Sequence, residues 1–321
     1  MSTKASISIG LLRQSELGEA DRIVRMAFGT FLGVPNPPEF MGDREFMVPR
    51  WRSKNVKVIA AREGGRLLGT NVVTRWGTFG FLGPLTVLPE YWDRGVAKRL
   101  LESTMKMFDR WGLRHTGLFT FPQSPKHVGL YHKFGYWPGY LTAVMTRAPE
   151  ATAGPEINDL GAPVLMTFLK KKQRNEAIEA CRKLTFKIEK GLDLSDEIGA
   201  VLAQGTGDIV LTYSGRVLDA FAVCLNGPGS EGGAKICYIK FGAARAGAGA
   251  GDRFDKLLDA CEAFAVSRGA SVEAGVNFAR EDAYRRMRSC GFRAVTHGVA
   301  MQRPHSVGLN RADAYIMEDW R

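Results

Sequence analysis

The apolar run at positions 80–87 is strand-like and reaches Pro89. Past a short polar turn, Leu100, Leu101, Thr104, Met107 and Phe108 recur at helical spacing. This predicts a strand, a turn and the start of a helix. Ahead of it, positions 6–13 alternate as a strand, and 15–31 carry Leu17, Ala20, Ile23, Val24, Ala27 and Phe28 on one helical face. Positions 33–42 contain Pro35, Pro37 and Pro38, so a loop there precedes a second short helix near 44–53. Positions 56–62 and 66–75, joined by Glu63-Gly64-Gly65, read as a hairpin. A strand at 116–121, a break at Pro122 and Pro125, a helix at 126–134 and a strand at 138–146 follow.

A stretch rich in Pro, Gly and Ala at 148–161 marks a linker, and then the order of elements begins again. A helix at 170–190 has Ala177, Ile178, Cys181 and Leu184 as its apolar stripe. A hairpin at 208–225, a strand at 234–241, a glycine turn at 247–251 and a helix with Phe254, Leu257, Leu258, Cys261 and Phe264 inward come after it. Arg66-Leu67-Leu68 answers to Arg216-Val217-Leu218, Gly95 to Gly249, Tyr131 to Tyr284 and Gly135 to Gly291, all at nearly one offset. Such constancy indicates a tandem duplication. The second copy has drifted: Tyr284 stands seven residues before its glycine where Tyr131 stands four, most of a helical turn away.

Composition narrows the class. At 321 residues, with 45% hydrophobic and 24% charged, the chain suits two ordinary globular modules. Its 44 basic and 33 acidic residues give a net charge of +11, which fits a site for an anionic ligand. The densest basic run, Lys170-Lys171-Lys172-Gln173-Arg174, heads a helix-like segment and reads as a solvated face. With no aromatic–basic strand signature or recognition helix, no nucleic-acid partner is expected. No apolar run reaches the length of a membrane span, so no membrane partner and a cytoplasmic location are expected. The five cysteines lie in the second half without a C-x-x-C pair or a nearby histidine cluster, so reduced thiols are expected and no metal.

The turn 91–98 sets Gly95 and Ala97 where backbone must approach something closely, with Arg94, Lys98 and Arg99 beside them; helix-terminal amides ringed by cations suit a phosphate. Val87-Leu88-Pro89, then Arg94-Gly95-Val96-Ala97, then Leu130-Tyr131-His132-Lys133-Phe134-Gly135-Tyr136 resemble, in that order, the GCN5-related N-acetyltransferase (GNAT) family. The family's turn usually opens on Gln or Arg, where Trp92 stands here.

The resemblance implies an α/β fold of two tandem GNAT-like modules, each a mixed, mostly antiparallel central sheet flanked by helices. The modules would span residues 1–148 (catalytic) and 164–321 (degenerate), with 149–163 as linker. It further implies an acetyl-CoA-dependent N-acetyltransferase acting on a primary amine by direct attack, with coenzyme A as co-substrate and a small-molecule or peptide acceptor. A non-catalytic acyl-CoA-binding or scaffolding protein is the alternative. Leu85, Thr86 and Val87 would align the pantetheine and offer an N–H to the oxyanion, and the amides of Arg94, Gly95, Val96, Ala97, Lys98 and Arg99 would hold the pyrophosphate. Ser124 would contact pantetheine or acceptor, or cap a helix, and Tyr131 would be the general acid. In the family, the loop and helix at 33–53 lie over the acceptor cleft, so Phe40, Met41, Phe46 and Trp51 would shape the acceptor side. The base stays open: strand 80–87 has no carboxylate or histidine, and His115, Ser124, Lys126, His127 or a water are the choices. Likewise open is whether the glycine turn at 247–251 holds a second acetyl-CoA.

Overall fold

The computed structural model describes residues 6–149 and 163–321. The expected linker therefore lies, but for Pro149 and Pro163, outside the described residues. The first half runs β1 (Ser8–Leu11), α1 (Leu17–Leu32), α2 (Met47–Arg52), β2 (Val56–Glu63), β3 (Arg66–Trp76), β4 (Phe79–Val87), α3 (Val96–Arg110), β5 (His115–Thr120), α4 (Pro125–His132) and β6 (Trp137–Arg147). The second runs β7 (Val164–Leu165), α5 (Lys171–Ile188), α6 (Ser195–Gln204), β8 (Gly207–Ser214), β9 (Val217–Gly227), β10 (Gly233–Ala244), α7 (Ala250–Ser267), β11 (Ser271–Asn277), α8 (Glu281–Ser289), β12 (Arg293–Arg303) and β13 (Ile316–Met317).

The mostly antiparallel sheet flanked by helices is present, but the two halves share a single sheet. Its order is β1-β2-β3-β4-β5-β12-β6-β11-β10-β9-β8-β7, with β13 added on β10. The last long strands are exchanged: β12 of the second half pairs with β5, and β6 of the first half pairs with β11. The two then pair with each other, from Arg293 opposite Thr146 to Gln302 opposite Trp137. Parallel pairing of β4 with β5 and of β10 with β11 would leave β5 and β11 as open edges, and the exchange gives both a hydrogen-bonding partner.

Hydrophobic patterning explains the layers. The apolar face of α3, with Leu100, Leu101 and Phe108, packs over Ile59, Leu68 and Val73. On the opposite face Trp76, Phe79 and Phe81 meet Phe221 and Phe241 of the second half beneath α5 and α6, in one core built by both halves. There Glu197 of α6 accepts hydrogen bonds from Asn55 Nδ2 at 2.8 Å and Trp76 Nε1 at 3.0 Å.

Candidate functional site

β4 and β5 pair in parallel from Phe79 opposite His115 to Leu82 opposite Leu118, and then separate. The β3–β4 register slips between Asn71 and Val73, placing Gly83 and Pro84 in a bulge that bends β4 away. The resulting wedge opens into a cavity of about 950 Å³ lined by Leu85, Thr86 and Val87. Downstream of the bulge, the Leu88 amide donates to the Leu68 carbonyl at 2.8 Å. By antiparallel alternation the Thr86 amide also faces β3, while those of Leu85 and Val87 face the wedge. Thr86 is thus a wall residue, its hydroxyl 3.2 Å from that of Thr70, and the two free amides belong to its neighbours. The Val87 carbonyl is occupied by Trp92, whose Nε1 donates to it at 2.8 Å.

Asp93 and Gly95 both take left-handed backbone, with φ of 61° and 76°, which turns the chain directly into α3. The Arg99 amide already donates to the Gly95 carbonyl, so the helix-terminal donors left over are those of Val96, Ala97 and Lys98, and these three residues line the cavity. The cradle is narrower than the sequence suggested. Arg94 leans over Tyr91 and binds Glu63 at 3.1 Å, Arg99 reaches the Ile7 carbonyl at 3.2 Å, and neither lines the cavity. Cations come instead from Lys98 and from Lys126 and Lys133 across the opening. Lys126 pairs with Asp93 at 2.5 Å, bridging the two walls with both side chains exposed.

α4 begins at Ser124, whose hydroxyl accepts from the His127 amide at 3.4 Å; the residue both caps the helix and lines the cavity. One turn apart, His127 and Tyr131 line it too. Tyr131 is 8% exposed, and its hydroxyl has no hydrogen-bond partner among the described residues. Burial pushes that phenol's pKa well up, so it stays protonated. His127 is half-buried, its ring 4.8 Å from that of Phe31 and 6.2 Å from that of Phe121, with Nδ1 unpartnered. Burial, and then the charge of Lys126, lower its pKa and keep it neutral. His115 lies elsewhere, stacked on Phe79 with Nε2 2.9 Å from Gln302 Oε1.

The far end has two sources. From the first half come Phe28, Phe31, Phe40, Met41 and Phe46, whereas Trp51 is turned away to the Leu12 carbonyl at 3.2 Å. Arg25 of α1 donates to the carbonyls of Phe40, Gly42 and Arg44 at 2.7–2.8 Å, pinning the loop that carries Phe40 and Met41. From the second half come Glu231, Tyr238, Glu273, Trp320 and Arg321. Arg50 binds Glu231 through two bonds of 2.8 and 2.6 Å, and Lys240 binds the same carboxylate at 2.9 Å. Arg44 and Arg321 hold Glu273 at 3.0 Å. Burial raises the Glu231 carboxyl, but Arg50 and Lys240 outweigh it and hold the pKa at about 2. None of these second-half residues was singled out from the sequence. The one visible signal was Lys240, a cation within an apolar strand that has a chain-long reason to be paired.

In the second half, β10 and β11 pair from Ile236 opposite Ser271 to Ile239 opposite Ala274 and then separate, as β4 and β5 do. Leu85 lies three residues past the last parallel pair of its wedge, and Gly242 three past that of the second. This second wedge is filled. Gly242 and Ala243 pair with Met317 and Ile316 of β13, the Ala244 amide donates to Tyr315, and the Glu318 amide donates to the Gly275 carbonyl. The glycine turn itself is open, with Gly247, Ala248 and Gly249 exposed; beside it the Arg286 guanidinium lies against Gly251, held by Asp255 at 2.5 Å and Asp282 at 2.9 Å. Tyr284 packs edge-on against Phe278 at 4.8 Å and does not line the cavity.

Among the described residues there is no group of His, Cys, Asp and Glu that could hold a metal ion, and no helix long and apolar enough to cross a membrane. The cysteines are free, four of them buried.

A sequence model described as the acetyltransferase (GNAT) family matches residues 25–136. No curated protein matches the chain. Among solved structures, a protein of Pyrococcus horikoshii classed with the acetyltransferases is similar over 98% of this chain and 95% of its own, at 14% identity and a TM-score of 0.67. The GCN5-related N-acetyltransferase from Sphaerobacter thermophilus is similar over 92% and 95%, at 14% identity and a TM-score of 0.58. A tandem GNAT protein from the clavulanic acid biosynthesis pathway is similar over 92% and 98%, at 14% identity and a TM-score of 0.59. At these identities the likeness concerns the fold, and it extends across both halves. Residues 25–136 thus match the acetyltransferase (GNAT) family, and the fold of the whole chain is similar to that of GNAT proteins.

Proposed function

We propose that the protein is an acetyl-CoA-dependent N-acetyltransferase with one active site, in the first half, and that the second half closes its own wedge and walls the acceptor end. The observation that carries this is the contrast between wedges. At Leu85–Val87 the strand edge, three helix-terminal amides and an unpartnered tyrosine hydroxyl face one cavity; at Gly242–Ala244 the same edge is paired with β13.

In this reading the pantetheine lies along the free edge of β4 and the pyrophosphate sits on the amides of Val96, Ala97 and Lys98. The amine nitrogen attacks the thioester carbonyl, forming C–N, and the oxyanion is met by a wedge-facing amide of β4. As the C–S bond breaks, Tyr131 protonates the thiolate, and the proton lost by the amine passes to the His127 ring, directly or through a water. Titration calorimetry should find one acetyl-CoA per chain, and two sites, or none, would refute the arrangement.

The histidine role predicts a pH dependence. His127 accepts a proton only when neutral, and its pKa is lowered from 6.5, so kcat should fall on the acid side of that value and be flat above it. With a weakly basic amine as acceptor, His127→Gln should abolish this acid limb and slow turnover by roughly 10². An unchanged limb would assign the base to another group.

A further inference from the structure

Resting on that reading, we infer that the acceptor is an apolar primary amine, with an aryl or long alkyl body and no second charged group. Phe28, Phe31, Phe40 and Phe121 are half-buried, and their rings form a connected series with spacings of 4.8–6.3 Å that ends on His127, 4.8 Å from Phe31. This is apolar area turned into a cavity, and filling it with an apolar body returns about 25 cal/mol for each Å² covered. The wall is preformed, because Arg25 fastens the loop bearing Phe40 to α1. Trp320 of the second half lines the same cavity, its ring 5.5 Å from that of Phe79.

Charge argues the same way. The Glu231 carboxylate is spent on Arg50 and Lys240, and that of Glu273 on Arg44 and Arg321. Neither is left to hold the second ammonium of a diamine. The cations facing the cavity from this end are likewise committed to carboxylates, so an acidic acceptor would bury its charge at a cost the site does not offset. The reacting nitrogen itself must be neutral at attack. An apolar body beside His127 would deliver it to the histidine end of the aromatic series.

The test uses the full chain with three primary amines: 2-phenylethylamine, phenylalanine, which adds a carboxylate, and putrescine, which adds a second ammonium. Coenzyme A release from acetyl-CoA is followed, and in parallel each amine is titrated into protein saturated with coenzyme A. The expected result is that kcat/KM for 2-phenylethylamine exceeds the other two by at least about tenfold, with the same order in binding. Equal or better use of phenylalanine or putrescine would overturn the inference while leaving acetyl transfer intact. Binding of 2-phenylethylamine alone with no coenzyme A release would uphold the class of ligand and refute the catalytic reading. No selective binding would refute the class. Phe31→Asp should lower kcat/KM for 2-phenylethylamine by about tenfold or more and raise that for putrescine, with acetyl-CoA affinity unchanged as the check on folding. If that chain does not fold, Phe121→Leu should narrow the preference for the aryl amine over hexylamine; an unchanged ratio would count against the aromatic wall.

Discussion

Truncating Glu231 to alanine is expected to destabilise the protein by about 3–5 kcal/mol, the usual cost of removing one partner from a buried ion pair. Glu231 is 4% exposed and is held at once by Arg50 of the first half and Lys240 of the second. Burial already pushes the Lys240 ammonium down, and the neighbouring Arg50 adds to it, so without the carboxylate Lys240 can shed its proton. Arg50 has no such escape: guanidinium stays charged, and the penalty falls on it. Urea unfolding would read the change as a lower midpoint with the slope kept. The pH dependence follows from the carboxyl's pKa, which is about 2 when folded and 4.5 ordinarily. Its contribution is complete above pH 4.5 and is lost as pH falls toward 2, so the gap between wild type and Glu231→Gln should close over that window. A loss below about 1 kcal/mol, or a gap indifferent to pH, would mean that the ion cluster does not tie the two halves together.

That cluster also marks how far the site could be read from the sequence. Leu85–Val87 and Gly95–Ala97 line the cavity because they belong to one local unit, β4 then turn then α3, and Ser124 and Tyr131 because they belong to the next, β5 then turn then α4. Arg94 and Arg99 sit in the first of these units, yet their side chains leave it. Closeness to a turn along the chain does not fix direction, and a helix rotates each successive side chain by about 100°. Glu231, Glu273, Trp320 and Arg321 come from more than 90 residues beyond the motif and reach it only through the pairing of the two halves.

The exchange of β6 and β12 was hidden for a related reason. Alternation along a strand tells which face is buried; it carries little about which strand lies alongside. Residues 137–141 of β6 and 293–297 of β12 are exposed, so neither strand shows the alternation that would mark a partner-flanked central strand. The filling of the second wedge was equally silent, since β13 is a two-residue strand, Ile316–Met317, too short to show a period. The drift of Tyr284 from its glycine predicts a degenerate second copy, and in the structure the Tyr284 ring packs on Phe278 and does not line the cavity.

Tyr131→Phe should leave acetyl-CoA binding almost unchanged and lower kcat by roughly 10² or more, the range of general acid catalysis. The ring is buried against the core beneath α3 and is retained in the variant, so packing survives. Only the hydroxyl is removed, and it has no hydrogen-bond partner among the described residues, so no buried group is orphaned by its loss. A structural role would therefore predict little change in either stability or turnover. The catalytic role predicts that kcat and kcat/KM fall together, because the hydroxyl acts only as the thiolate departs. Burial holds the phenol protonated across the working range, so the defect should not vary with pH between 6 and 9. An acceptor-independent check comes from the leaving group. A thioester whose thiol is more acidic than that of coenzyme A needs less help from a proton donor, and with it the variant's deficit should shrink. Tyr284→Phe should leave kcat within about twofold, since its ring packs on Phe278 outside the cavity. Equal defects in the two variants would remove Tyr131 from the chemistry and reopen the assignment of catalysis to the first half.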